Sequence, residues 1–309
     1  MLTGKSIDDI YPHLIREVLD AKDFSSPRGM KIRELFNYQF QIDDATRCIV
    51  TNSKRKINFA YAVMEMLGLL MPGKATVEPM CWFNSKMKNY LNHETLEWDG
   101  SYAQRLTMYD QMRNVYKVLK EDPDSRRAVM SMYNPAHDFH DYISLDICCT
   151  LSLIFRIVNG KLNLSVTMRS NDVLLGIPAD LWQFSFLQSV MASWLGIPVG
   201  NYSHYAASFH AYERDLEKLT DIANSPVESC TSWERMGTWD VGIHDTFDEV
   251  SKFFAMDKEL RDSKDASDDN ANMLWGKYWM KSEFIRNLYF TVVLPYIRKK
   301  LIKQNEQLQ

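Results

Sequence analysis

The sequence predicts an α+β fold, because strand and helix signals are mixed along the chain without the alternation that parallel βαβ units require. The clearest signal is a β-hairpin over 152–168, in which two apolar-rich segments flank the turn Asn159-Gly160. In the second segment apolar and polar residues alternate from Lys161 to Met168, so one face of that strand should be buried. Helical patterns lie both before and after the hairpin, so the chain combines helices with antiparallel strands, as α+β proteins do.

The other elements follow from local patterns of apolar and turn-forming residues. In chain order we predict a helix over 5–21, a loop at 25–29, a strand over 34–42, a buried helix over 56–70 ended by Met71-Pro72-Gly73, an amphipathic helix over 110–120, a turn at 121–127, a helix over 181–195 and a helical tail over 274–305. No internal repeat or low-complexity linker separates these elements.

Composition indicates an ordinary globular protein. Of the 309 residues, 46% are hydrophobic and 25% are charged, so disorder is not expected. The formal net charge of −4 argues against a bulk nucleic-acid binder, and no direct DNA binding is expected. Any bound anion should therefore be held locally by a few arginines. No apolar run is long enough to span a membrane, and the N-terminus lacks a signal-type apolar segment, so we expect a soluble, cytoplasmic protein.

The cysteines argue against a disulfide framework and against a structural zinc site. They are odd in number and show no CxxC spacing. The five are Cys48, Cys81, Cys148, Cys149 and Cys230. We therefore expect no metal.

Two side chains are candidates for covalent and proton-transfer chemistry. Cys149 precedes the first hairpin strand, where a lone cysteine is either a small buried apolar residue or a nucleophile. Its neighbour Cys148 cannot face the same side of a strand, so only one of the two can serve a site. Glu65 is the only charge between Ile57 and Met71, so partial burial should raise its pKa. It is a proton shuttle or a core carboxylate that is merely hydrogen-bonded.

Several polar pairs have both a surface interpretation and a ligand-binding one. Arg126-Arg127 are solvated loop charges or a phosphate clamp, since guanidinium groups bind phosphate oxygens through paired hydrogen bonds. The pair Arg169-Ser170 has the same two interpretations. His210 and Tyr212 lie two residues apart, share one face of a strand, and are packed, exposed or bonded to a sugar hydroxyl.

Asp180 has a simple structural interpretation. It precedes the predicted helix over 181–195, and Gln183 follows three residues later, which is the pattern of a capping box. An N-cap aspartate needs no ligand to explain it.

Four motifs in this order resemble the thymidylate synthase superfamily, whose folate-dependent enzymes build a one-carbon unit onto C5 of a pyrimidine nucleotide. They are DPDSRR at 122–127, a cysteine before a hairpin, RSNDVLLGIPAD at 169–180 and FHAY at 209–212. The likeness covers about residues 25–215. The strand that follows Arg28, and Asn84 ahead of Gly100-Ser101-Tyr102 and Arg105, look closer to the pyrimidine hydroxymethylase branch than to the methylating synthases.

The resemblance implies one domain over 1–309, with a family-like core and a divergent helical extension over 216–309. It implies a twisted mixed sheet flanked by helices and a homodimer packed back to back through its sheets. It also implies the following site: Cys149 as nucleophile, Glu65 and Tyr102 serving the chemistry, Arg28, Arg169 and Ser170 on the nucleotide phosphate, Arg126 and Arg127 reaching it from the other subunit, Asp180 and Asn171 on the base, His210 and Tyr212 on the sugar, and Asp172 and Gly176 on the folate.

The implied chemistry starts with addition of the Cys149 thiolate to C6 of a pyrimidine, which makes C5 nucleophilic toward 5,10-methylenetetrahydrofolate. Arg169 should favour the thiolate. Loss of tetrahydrofolate leaves an exocyclic methylene on the nucleotide. Hydride from the folate would give a methyl product, and water activated by Glu65 would give a hydroxymethyl product.

Asp180 then becomes the residue that reads the base. Uracil enzymes of the family carry Asn there, whose amide donates to O4 and accepts from N3–H. A carboxylate instead accepts from the N4 amino group of cytosine and shares a proton with N3. Because the wrong base would leave buried polar groups unpaired, the sequence predicts a substrate of dCMP or CMP.

Three departures from the methylating synthases favour addition of water. Thr150 follows the cysteine where those enzymes usually have His, and Ala207-Ser208 stand where they usually have Gly-Asp. The C-terminus, KKLIKQNEQLQ, is basic and polar instead of short and apolar. The resulting prediction is a cytidylate 5-hydroxymethyltransferase.

Three alternatives stay open at the level of sequence. One is a cytidylate C5-methyltransferase, which differs only in producing dihydrofolate. Another is a thymidylate synthase or deoxyuridylate hydroxymethylase with an unusual aspartate. The last is a non-catalytic nucleotide-binding or RNA-binding relative, against which the intact Cys149, Glu65 and arginines argue.

Overall fold

The structure, a computed structural model, describes residues 1–71, 73–139, 146–226 and 235–306. Pro72, predicted to end the second helix, and Cys230 lie outside the described residues. The strands are β1 Leu2–Gly4, β2 Asp23–Ser25, β3 Ile32–Ile42, β4 Val129–Ser131, β5 Thr150–Val158, β6 Lys161–Asp172 and β7 Val199–Tyr212.

The helices lie before, between and after these strands. They are α1 Ile7–Leu19, α2 Phe59–Gly68, α3 Val77–Phe83, α4 Tyr102–Thr107, α5 Gln111–Glu121, α6 Pro135–Asp138, α7 Gly176–Leu195, α8 Leu216–Asn224, α9 Thr246–Ser263, α10 Asp268–Lys277, α11 Glu283–Leu288 and α12 Leu294–Glu306, with a π-helical turn at Tyr289–Val293 before α12. None of the helices in the described segments is long and apolar enough to cross a membrane.

The strands form one mixed, open sheet, which confirms the predicted α+β class. Within the described residues its order is β1-β3-β7-β6-β5-β4. The short strand β2 pairs with the N-terminal end of β3. The β3–β7, β5–β6 and β4–β5 pairs are antiparallel, whereas β1–β3 and β6–β7 are parallel. The long strands β6 and β7 lie side by side, so the motifs predicted at their ends are brought to one edge of the molecule.

The predicted hairpin is confirmed. Asn159 and Gly160 both have positive φ, at 52° and 71°, which is the backbone of the two-residue turn that matches the twist of the flanking strands. On β6 the residues at 162, 164, 166 and 168 are buried and the intervening ones are more exposed. This alternation follows the predicted pattern.

Helix α7 starts earlier than the sequence indicated. It begins at Gly176 instead of 181, so the Gly-Ile-Pro segment forms its first turn. Pro178 is tolerated there because the first backbone N–H groups of a helix have no intrahelical partner. The helix is buried on nearly all sides, as expected for a helix that is hydrophobic all round.

The C-terminal segment shares its core with the rest of the chain. One hydrophobic cluster runs from Ile7 to Ile297. The ring of Phe186 on α7 contacts Trp239, with centroids 5.4 Å apart, and Phe284, with centroids 6.1 Å apart. The predicted helical tail is confirmed, although it is divided into α10, α11 and α12.

Candidate functional site

A cavity of about 230 Å³ brings together residues from four separate parts of the chain. Glu65 comes from α2, Tyr102 from α4, Cys149 from the residue before β5, and Asp180 from α7. All four were predicted as catalytic. A neighbouring cavity of about 440 Å³ is larger, but its described lining contains none of the predicted site residues. The smaller cavity is therefore the candidate active site.

Cys149 is the accessible member of the cysteine pair. It is half-buried, whereas Cys148 is buried and donates from Sγ to the carbonyl oxygen of Thr150 at 3.2 Å. Arg169 holds the segment before it, donating from Nε to the Cys148 carbonyl at 3.0 Å and from Nη2 to the Ile147 carbonyl at 2.9 Å. These bonds fix the position from which the Cys149 thiol faces the cavity.

The thiol of Cys149 is not a preformed thiolate. Burial has the largest effect and raises its pKa above the ordinary value, while the charge of Arg169, and less strongly that of Arg28, lowers it. Arg169 therefore lowers the pKa of the thiol, as predicted, but in the free protein burial raises that pKa by more than Arg169 lowers it. A carboxylate close by, that of Asp180, further disfavours the thiolate.

Glu65 has the raised pKa that the sequence indicated. Burial raises it to about 7, against hydrogen bonds from Tyr61 and Gln183 that favour the ionised form. The Tyr61 hydroxyl donates to Oε1 at 3.0 Å. A carboxylate that titrates near neutral pH at the wall of a cavity is suited to accept a proton from water and return it.

Asp180 is not the helix cap, and that prediction is wrong. Because α7 begins at Gly176, Asp180 lies inside the helix, buried, at the cavity wall. Its Oδ2 accepts a hydrogen bond from Asn171 Nδ2 at 2.6 Å. Burial raises its pKa to about 7, while the hydrogen bonds from Asn171 and Tyr102 favour the carboxylate. It is thus poised to exist with or without a proton near neutral pH.

Asp172 instead stabilises the turn that precedes α7. Its two carboxylate oxygens accept from the backbone N–H groups of Leu174 at 2.8 Å and Leu175 at 3.1 Å. Close packing favours glycine at position 176, because a Cβ there would lie 3.3 Å from the Asn171 amide and 3.4 Å from Asp180 Oδ2. Among the described residues that line the cavity, neither Asp172 nor Gly176 appears. Their predicted folate contacts stay predictions.

His210 and Tyr212 share one face of β7, as predicted. Their ring centroids lie 5.2 Å apart and the rings are perpendicular. His210 stands opposite Asp172 in the β6–β7 register, and burial lowers its pKa, so the imidazole is neutral near pH 7. A neutral imidazole and a phenol can donate to or accept from a sugar hydroxyl.

The predicted phosphate ligands fall into two groups. Arg28 lies close enough to Cys149 and Tyr212 to lower the pKa of both, and Arg169 holds the Cys149 segment. Ser170 follows on β6, paired in register with Ser208. Arg28 and Arg169 thus lie near the nucleophile, and the phosphate contacts of all three residues stay predictions.

Arg126 and Arg127 form the second group. Both are exposed, in the loop between α5 and β4. Within the described residues neither lines the cavity of their own subunit. Their predicted role would need a second subunit.

Sequence reasoning missed several contacts within the site. Thr150 Oγ1 hydrogen-bonds the Tyr102 hydroxyl at 2.9 Å, and Gln183 bonds Glu65 instead of capping a helix. The Tyr61–Glu65 bond was recognisable, since residues four apart on a helix share a face. In the described segments, no group of three or more His, Cys, Asp or Glu side chains is placed to hold a metal ion.

The chain is similar to one protein family and to several phage proteins. A family model described as thymidylate synthase matches residues 9–233. Deoxyuridylate hydroxymethyltransferase of Bacillus phage SP01 is 33% identical over 234 residues, covering 71% of this chain and 61% of the phage protein. The protein of that name from Pseudomonas phage M6 is 32% identical over 200 residues, covering 63% and 56%. One from Delftia phage PhiW-14 is 25% identical over 201 residues, covering 62% and 56%. The chain thus spans about three fifths of these relatives.

Proposed function

The chain belongs to the thymidylate synthase family, and on this basis we propose that it is a cytidylate 5-hydroxymethyltransferase. It would transfer a one-carbon unit from 5,10-methylenetetrahydrofolate to C5 of dCMP or CMP and release the 5-hydroxymethyl nucleotide. The observation that carries the choice of base is Asp180. A buried carboxylate at the cavity wall, held by Asn171, offers an acceptor to the N4 amino group and shares a proton with N3.

Cys149 would begin the reaction. Its thiol loses its proton to water, and Sγ forms a bond to C6, so that the electron pair of the C5–C6 double bond becomes available at C5. Since the free thiol has a raised pKa, Arg169 and Arg28 assist the thiolate as the nucleotide excludes water. Asp180 in its protonated form donates its proton to N3 or shares it with N3, which stabilises the negative charge that addition at C6 places on the ring.

Glu65 would complete the reaction. When bound, the folate supplies a one-carbon unit at the oxidation level of formaldehyde, which replaces the C5 hydrogen; that hydrogen leaves as a proton, and the tetrahydrofolate that is released takes up one proton. Glu65 takes a proton from water as the water oxygen bonds to that carbon. The C6–Sγ bond then breaks, and the C5–C6 double bond is restored. Tyr61 and Gln183 hold the Glu65 carboxylate for this task.

The cavity suits a flat heteroaromatic co-substrate beside the nucleotide. Its lining includes several apolar side chains, which are Leu69, Met80, Met87 and Trp98. The Trp98 indole N–H is already paired with the Met87 carbonyl at 3.1 Å, so the ring offers apolar surface to the cavity. Apolar walls with a few convergent polar groups are typical of such sites.

Hydroxymethylation of dUMP is the second candidate. It is supported by the names of the phage relatives, which are deoxyuridylate hydroxymethyltransferases. This reaction would follow the same steps, and it would differ in the base that contacts Asp180, which would be uracil.

Product analysis decides between them. Purified protein is incubated with methylenetetrahydrofolate and, separately, with dCMP, CMP and dUMP, while absorbance follows dihydrofolate. A gain of CH2O on a cytidylate without dihydrofolate supports the proposal and identifies the sugar. A gain of CH2 with dihydrofolate would indicate a methyltransferase. Turnover of dUMP alone would refute the argument from Asp180.

The family resemblance also leads us to propose a homodimer in which Arg126 and Arg127 bind the phosphate in the partner subunit's site. We expect the double variant R126A/R127A to be impaired and C149A to be inactive. Mixed and allowed to exchange subunits, they should recover up to about one quarter of wild-type activity, because half of the random dimers carry one complete site. Each variant alone is the control. A mixture that stays inactive although subunits exchange would place the arginines elsewhere.

The pH dependence should be bell-shaped with a maximum near pH 7. Glu65 must be ionised to take a proton from water, so activity rises as pH increases through its pKa of about 7. Asp180 must provide a proton to share with the base, so kcat/KM falls as pH increases above its pKa, also about 7. Measurement of kcat/KM from about pH 5.5 to about pH 9 tests both limbs. A flat profile would contradict both roles.

A further inference from the structure

A buried glutamate joins three strands at one end of the sheet. Glu34 of β3 is 6% exposed. Its Oε1 accepts a hydrogen bond from the Ser25 hydroxyl of β2 at 2.6 Å. Its Oε2 accepts one from the Ser208 hydroxyl of β7, also at 2.6 Å. Hydrogen bonds to a carboxylate are short and stronger than those between neutral groups, so this side chain ties β2 and β7 firmly to β3.

The tie lies at the base of a hairpin whose tip carries a predicted phosphate ligand. Ser25 pairs with Ile32 in the antiparallel register of β2 and β3, so residues 26–31 form the tip, and Arg28 lies within it. Strand β2 is three residues long, and within the described segments it pairs with β3 alone. The chain thus enters the tip from a short edge strand, which three backbone positions and the Ser25–Glu34 bond hold in place.

The backbone of the tip needs support from its surroundings. Arg28 has φ 51° and ψ 32°, and Gly29 follows with φ 77°. A residue with a Cβ is seldom found in this left-handed region, and it stays there only when the structure around it fixes the backbone. The N–H groups of Gly29 and Met30 donate to the Ser26 and Pro27 carbonyl oxygens, each at 3.0 Å. These bonds shape the tip but do not attach it to the sheet.

We propose that Glu34 is a positioning residue for nucleotide binding. By holding Ser25 and Ser208 together it attaches the hairpin to β7, and Arg28 thereby keeps the backbone from which it binds the phosphate. Ser208 lies opposite Ser170 in the β6–β7 register, so the same bond reaches the strand that carries another predicted phosphate ligand. Within the described residues Glu34 does not line the candidate active site, so it acts through these neighbours. The inference rests on the proposed function for the substrate phosphate, and not for the base.

The first test is removal of the carboxylate in the full-length protein. We expect E34A to bind the 5′-monophosphates dCMP, CMP or dUMP, whichever the wild type binds, about tenfold more weakly. Binding of inorganic phosphate should weaken as well. On a nucleotide that the wild type converts, KM should rise while kcat stays within about threefold, because a phosphate contact away from the reacting carbons is made equally in the ground and transition states. Isothermal titration calorimetry measures the affinities.

Two further variants separate the hydrogen bonds from the bulk of the side chain. E34Q keeps an oxygen that accepts from one serine and gains an N–H2 group that donates to the other, so it should recover most of the affinity. S25A breaks the tie at an exposed position, where the fold tolerates the change. It should weaken nucleotide binding in the same direction, and it provides the test if E34A does not fold.

A remote glutamate and a double-mutant cycle distinguish positioning from mere stability. Glu249 is 2% exposed and accepts from the backbone N–H groups of Lys281 and Ser282, outside the described cavity lining. E249A should lower Tm and leave the nucleotide affinity within about twofold of the wild type. In an R28A background, E34A should weaken nucleotide binding by less than about twofold, since the cycle isolates an effect that passes through Arg28.

Several results would contradict the inference. Equal nucleotide affinity in the wild type and E34A, an equal loss in E34Q, or an undiminished loss in the R28A background would each overturn it. Nucleotide binding without turnover would refute the proposed function, while the binding measurements would still decide the role of Glu34. A wild-type protein that binds neither nucleotides nor inorganic phosphate would overturn both.

Discussion

Replacement of Cys149 with alanine is expected to lower kcat on the order of 10⁴-fold or more, the scale seen when a covalent nucleophile is removed. The reason is that, among the described residues that line the cavity, only Cys149 offers an accessible thiol for the proposed bond to C6. The neighbouring thiol of Cys148 is buried, donates to the Thr150 carbonyl at 3.2 Å, and has its pKa raised to about 12. The measurement is single-turnover formation of the modified nucleotide by mass spectrometry.

The matched control is C148A, which removes the adjacent thiol. Loss of a buried sulfur should cost about 1 kcal/mol of stability and leave kcat within about tenfold of the wild type. If C148A were inactive and C149A active, the assignment would be reversed. If both retained activity, the covalent mechanism would be wrong, and a binding protein would become the better description.

Exchange of Asp180 for asparagine is expected to reverse the base preference. Asn171 Nδ2 donates to the Oδ2 position of Asp180, so the amide introduced by D180N keeps its oxygen there and turns its N–H2 group toward the cavity. That group donates to O4 of uracil but opposes the N4 amino group of cytosine. We expect kcat/KM for cytidylate to fall about 10³-fold and that for uridylate to overtake it, since buried groups without partners carry this cost.

Competition between dCMP and dUMP in one reaction measures the ratio directly. D240N serves as control, because Asp240 bonds Ser282 and the backbone of Phe284, away from the cavity. Its ratio should match the wild type. An unchanged ratio in D180N would show that the carboxylate does not read the base.

Much of the candidate site could be predicted because several of its residues belong to the motifs that resemble the family. Cys149, Glu65, Tyr102 and Asp180 are far apart in sequence and line one cavity in the fold. The partial burial and raised pKa of Glu65 followed from its apolar neighbours alone, because desolvation depends mainly on what surrounds a charge.

The errors arose where a local pattern has two physical solutions. The helix was predicted to begin at 181, after Gly-Ile-Pro, although proline is equally compatible with the first turn of a helix. That shift of five residues moved Asp180 from a predicted cap into the helix. The Thr150–Tyr102 bond joins residues 48 positions apart, so no local rule could reveal it.

Helix α7 and the C-terminal segment share one core, which limits the substitutions that the C-terminal segment can tolerate. Phe186 lies on the same helix as Asp180 and packs against Trp239 and Phe284. A chain ending at the last residue matched by the family model would expose that ring, at a cost of roughly 1.5–3 kcal/mol for this side chain alone. Substitutions at Trp239 and Phe284 are thus constrained by the helix that holds the proposed base-reading carboxylate.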